Sequence, residues 1–103
     1  IMFFSSKEAE SPKSRFDPSN IEAIQLKLES IENFKKLKNY IKDDKVFTIT
    51  YLSEIGKISK DDIAQLIYIL MKMYLIRKGN RGYRKTELME AVFHDWEQKK
   101  LVQ

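Results

Sequence analysis

The sequence predicts a mainly α domain that carries one small β-hairpin. Apolar residues recur at steps of three and four along most of its length, the signature of helices buried on one face. Breakers are scarce, with three Gly and two Pro in 103 residues. Two of those glycines bracket Gly79-Asn80-Arg81-Gly82, a tetrapeptide suited to a tight hairpin turn because Gly and Asn accept positive φ.

Residues 1–18 are read as a flexible arm, since Ser, Lys, Glu and Pro dominate residues 5–18. Residues 19–103 form a single domain, the most that a 12.3 kDa chain supports. Asp17, Ser19 or Asn20 caps the first helix, and Pro18 tolerates its first turn. Ile21, Ile24, Leu28, Ile31, Phe34, Leu37 and Ile41 then form one stripe, compatible with one long helix or with two joined near Ser30. Asp43 and Asp44 end it with the wrong charge for the helix dipole, which predicts fraying.

Val46-Phe47-Thr48-Ile49 has the β-branched and aromatic content of a short strand. Thr48 or Thr50 caps a brief helix with Tyr51, Leu52 and Ile55 inward, closed at Gly56. Ser59, with Asp62 three residues on, caps the next helix, Lys60 to about Met73. The hairpin follows over about 75–86. Thr86 caps a last helix, about 87–100, with Glu87 and Glu90 at its start and Lys99 and Lys100 at its end.

Charge is unevenly distributed. Residues 77–85 hold five basic side chains and no acidic one, while the rest of the chain is close to balance under a net +4. A basic finger on a balanced body suits a polyanion. Cysteine is absent, which excludes disulfides and thiolate metal sites. The single histidine, His94, lacks a partner at metal-ligand spacing and reads as a helix residue beside Asp95. Asp61 and Asp62 are adjacent on a helix, so they do not share a face as catalytic carboxylates would. No phosphate loop, nucleophile elbow or triad pattern occurs, so neither an enzyme, a cofactor nor a small-molecule ligand is expected. The absence of a long apolar run predicts a protein with no membrane span, placed in the cytoplasm.

The order helix, short strand, helix, turn, helix, basic hairpin resembles the winged-helix domains of small transcription regulators. The resemblance covers about Ile31 to Thr86. It is most specific at Leu70-Met71-Lys72-Met73-Tyr74-Leu75-Ile76-Arg77, with Gly82-Tyr83 and Thr86 after it. Tyr74 stands where such domains often have glycine. The resemblance implies that the helix from Lys60 lies in the major groove of double-stranded DNA, offering Lys60, Gln65, Tyr68 and Lys72. It implies that the hairpin is the wing.

The residues themselves make Arg77, Lys78, Arg81, Arg84 and Lys85 candidate phosphate contacts, and Tyr83 a stacking or cross-strand residue. Five such contacts would give a salt slope of about −4.5, or roughly a 500-fold loss of affinity between about 50 and 200 mM salt. The acidic first turn and the broad apolar content of the Lys60 helix favour a rival reading, a winged-helix module that assembles with another protein. A replication or packaging protein is a more distant alternative. Lys35, Lys36 and Lys38 read as a solvated face.

Leu88, Val92 and Trp96 form one stripe on the last helix, and Met89 and Phe93 an adjacent one. Leu88, Val92, Phe93 and Trp96 are therefore candidates for a homodimer interface, two copies then reading two half-sites. The other reading of the same stripes is that they close the monomer's own core.

Overall fold

The computed structural model describes residues 16–102. Nearly all of the expected arm, residues 1–18, lies outside them. Of the residues described there, Phe16 packs against the core and Asp17 caps the first helix by accepting from Ser19 N at 2.9 Å. The chain is mainly helical with one two-stranded antiparallel hairpin. Its elements are α1 (Pro18–Glu29), α2 (Glu32–Asp43), α3 (Ile49–Gly56), α4 (Lys60–Lys72), β1 (Ile76–Lys78), β2 (Tyr83–Lys85) and α5 (Glu87–Val102).

The long stripe is divided between two helices. Ser30 terminates α1, its hydroxyl donating to the Lys27 carbonyl at 2.5 Å, and Ile31 enters α2 extended, with no side-chain cap. The apolar register survives the break, so Leu28, Phe34, Leu37 and Ile41 all reach the same core.

The expected strand at Val46–Ile49 shrinks to one bridge. Phe47 N donates to Tyr83 O at 3.0 Å and Tyr83 N returns a bond to Phe47 O at 2.8 Å. Extension stops there because Thr48 already caps α3, its hydroxyl accepting from Tyr51 N at 3.0 Å. Only Leu52 of the three expected inward residues is buried; Tyr51 and Ile55 remain partly exposed. Gly56 is the last residue of α3, and the left-handed residue is Lys57 (φ 54°). A Cβ at Gly56 would stand 2.8 Å from Leu37 Cδ2, so glycine there permits close approach of α3 to α2.

Ser59 caps α4 as expected, accepting from Asp62 N at 3.1 Å. The helix ends in a Schellman motif: Leu75 N donates to Leu70 O at 2.9 Å and Tyr74 N to Met71 O at 3.0 Å. Tyr74 takes the left-handed position, φ 61°. For an L residue with a Cβ that conformation costs about 1–2 kcal/mol.

The stripes of α5 face inward. Met89 and Val92 are fully buried and Phe93 nearly so, because α1 packs along α5. Gln25 of α1 is buried there, its amide donating to Val92 O at 3.2 Å and to Asp95 Oδ2 at 3.0 Å and accepting from Lys99 Nζ at 2.8 Å. Trp96 is half-buried against Phe34 and Phe93, with the Lys38 ammonium 3.8 Å from its ring centroid. Val92 and Phe93 thus belong to the core of a single chain, which corrects their assignment to a dimer interface. Leu88 and Trp96 also pack against that core, and Lys38 is not a purely solvated lysine. Lys42 of α2 meets Glu97 of α5 at 2.8 Å; the pairing raises the lysine's pKa and lowers the glutamate's. No helix among the described residues is long and apolar enough to cross a membrane.

Candidate nucleic-acid interface

Two adjoining elements supply the candidate surface, α4 and the hairpin that starts four residues after it ends. Ile63, Leu66, Ile67 and Leu70 hold α4 to the core, while Asp61, Ala64, Gln65, Tyr68, Met71 and Lys72 are exposed. Steps of three and four keep that second set on one face. Despite the broad apolar content of this helix, one face is buried and the opposite face is exposed. Lys60 is exposed at its start. Tyr68 is 61% exposed, with the Lys72 ammonium 5.6 Å from its ring centroid.

Charge is graded along that face. Asp61 and Asp62 occupy the first turn, where they complement the helix dipole, and Lys72 the last. The end of α4 that continues into the hairpin is accordingly its cationic end.

The hairpin register pairs Ile76 with Lys85, Arg77 with Arg84, and Lys78 with Tyr83. Because side chains alternate across a strand, Arg77 and Arg84 share one face, and Ile76, Lys85, Lys78 and Tyr83 the other. Ile76 is buried, so that second face is the inner one near the base of the hairpin. Tyr83 packs partly against the core there, leaving its ring less available for stacking than Tyr68. Arg77, Lys78, Arg81 and Arg84 are exposed. No ion pair joins any of the four to a carboxylate among the described residues.

Lys85 behaves differently from its neighbours. Its ammonium donates to Ile41 O, Lys42 O and Asp44 O, each at 2.9 Å. All three protons are thereby committed to the carbonyl end of α2. This removes Lys85 from the phosphate contacts expected from the sequence. It also adds a second positive charge, beside that of Lys42, at the carbonyl end of α2, countering the fraying expected there.

The hairpin loop is held by Gly79 N donating to Gly82 O at 2.6 Å. Of its residues only Gly82 takes positive φ, at 151°; Asn80 does not. A Cβ at Gly82 would lie 2.6 Å from Phe47 O, so glycine lets the loop close against the bridge. An open recess of about 320 Å³ at the loop is lined by Val46, Gly79, Asn80, Arg81, Gly82 and Arg84.

Tyr74 is the surface residue that the expected site set lacks. It is 77% exposed, and its carbonyl accepts from the Thr86 hydroxyl at 2.7 Å, tying the base of the hairpin to α5. Its signal in the sequence is a tyrosine where the resemblance has glycine. Thr86 caps α5 with the same hydroxyl, which accepts from Met89 N at 3.3 Å.

No protein-family model, no curated protein and no solved structure matches this chain.

Proposed function

We propose that this chain is a winged-helix DNA-binding domain of a transcriptional regulator. In this reading α4 enters the major groove and the β1–β2 hairpin is the wing on the phosphate backbone. The observation that carries it is the pairing of an exposed α4 face with an adjoining hairpin whose four exposed cations have no carboxylate partner among the described residues. The Phe47–Tyr83 bridge supports the winged-helix assignment, since it adds the rudiment of a third strand beside the hairpin.

Gln65 and Lys72 are the base-reading candidates, because Gln pairs with adenine and Lys with guanine in the major groove. Arg77, Lys78, Arg81 and Arg84 hold phosphates, and Lys60, at the opposite end of α4 from the hairpin, is a separate contact. Lys85 is dropped, and the proposal requires no two-fold contact through α5. The test is titration of the isotope-labelled protein with a short DNA duplex. Amide shifts should concentrate on Gln65, Tyr68, Lys72 and the hairpin; shifts confined to α1 and α5 would overturn the reading.

The rival reading, assembly with another protein, draws on Asp61, Asp62 and the exposed Tyr68 and Met71. A carboxylate pair on the presented helix opposes phosphate, and an exposed aromatic and methionine suit an apolar partner. A duplex titration that leaves the whole hairpin unshifted would favour it.

A further inference from the structure

We propose that Tyr74 and Arg77 form a stacking site for one unpaired nucleobase, at an end, gap or flipped-out position in DNA held by the wing. This deepens the nucleic-acid reading above and rests on it.

Tyr74 is the most exposed large apolar side chain among the described residues, at 77%. It occupies a left-handed position, φ 61°, where glycine would carry no steric penalty and would close the same Schellman motif. The ring contributes little to the fold: it has no aromatic or cationic partner among the described residues, and the structural bonds at this position come from its backbone. A strained residue with an unused side chain points to a role for that side chain outside the fold.

The surroundings define what the ring would meet. Tyr74 and Arg77 line one groove of about 610 Å³ at the base of the hairpin, together with Thr86, Leu88 and Glu90. Leu88 supplies an apolar surface. Arg77 is exposed, has no carboxylate partner among the described residues, and would hold the phosphate beside a stacked base. Lys85 also lines the groove but is committed to α2, and Glu87 has an interaction of its own, so neither is counted as a ligand group. The Glu90 carboxylate can accept a hydrogen bond from the exocyclic amine of cytosine or adenine.

Between its terminal pairs an intact duplex presents base edges only, and the faces at a blunt end belong to paired bases. A flat aromatic ring gains the π-face of an unpaired base only where that base has left the stack or lies in a tail. The site therefore predicts preference for duplex with a single-stranded tail over blunt duplex of the same length.

The experiment is fluorescence anisotropy with these two labelled DNA probes, on the wild-type chain and on Tyr74→Gly, Tyr74→Asn and Tyr74→Phe. Wild type and Tyr74→Phe should bind the tailed probe about fivefold tighter or more. Tyr74→Gly and Tyr74→Asn should lose that preference, keep the affinity for blunt duplex, and melt at the same or a higher temperature. Equal binding of both probes by wild type, or a preference retained in Tyr74→Gly, overturns the stacking site while leaving the wing reading in place. Failure to bind either probe overturns the nucleic-acid reading itself, and the stacking site with it.

Discussion

Arg77 lies directly opposite Arg84 across the hairpin, and neither guanidinium pairs with a carboxylate among the described residues. Like charges in directly opposed positions destabilise a two-stranded ribbon. A fold optimised only for its own stability would place an acid at one of them. The pair is consistent with a bound anion that supplies the missing negative charge.

Arg84→Ala should therefore leave stability unchanged or raise it by a few tenths of a kcal/mol. The same substitution should weaken duplex binding and reduce the salt slope by about one unit. Chemical denaturation and binding measured on the same samples check both halves. A stability loss above about 1 kcal/mol would show that Arg84 has a structural partner instead.

Lys85→Met should do the reverse. Two α2 carbonyls and that of its C-cap, Asp44, lose their shared donor, at a cost of about 1–3 kcal/mol. The salt slope for duplex should stay where it was, because this ammonium faces α2. Comparing Lys85→Met with Arg84→Ala separates two neighbouring cations that are indistinguishable by charge alone.

Gly82→Ala should damage the wing. The new Cβ would meet Phe47 O at 2.6 Å in a backbone with φ 151°, so the bridge or the loop must shift. A loss of about 2 kcal/mol or more is expected. Amide shifts should spread from Phe47 to Tyr83 in the variant. Unchanged shifts there would contradict the described loop.

Val92→Ala tests whether the α5 stripe is core or interface. Val92 is fully buried within one chain, so truncation should cost about 2 kcal/mol. The cost should be the same in dilute and concentrated samples. A cost that grows on dilution would return Val92 to an interface between copies.

Much of this architecture can be read from spacing. The stripe at Ile63, Leu66, Ile67 and Leu70, the Ser59 and Thr86 caps and the glycine-bracketed hairpin all follow from local rules. What stays hidden depends on partners distant in sequence. The Lys85 ammonium is satisfied by residues 41–44, some 40 positions earlier, although alternation from the apolar Ile76 does put it on the inner face. The two stripes of α5 look like surplus apolar width until α1, anchored by Gln25, is laid against them. The break at Ser30 is masked because the apolar register continues through it. Tyr74 departs from the pattern visibly, and only its exposure and left-handed φ turn that departure into a candidate contact.

The central claim is that four exposed hairpin cations hold DNA phosphates, and affinity for random-sequence duplex across a salt series tests it most directly. Arg77, Lys78, Arg81 and Arg84 together should give a slope of about −3.6, or roughly a 150-fold loss between about 50 and 200 mM salt. The double variant Arg81→Ala, Arg84→Ala should reduce that slope by about two units. No binding at low salt, or a slope that this variant leaves unchanged, would contradict the account.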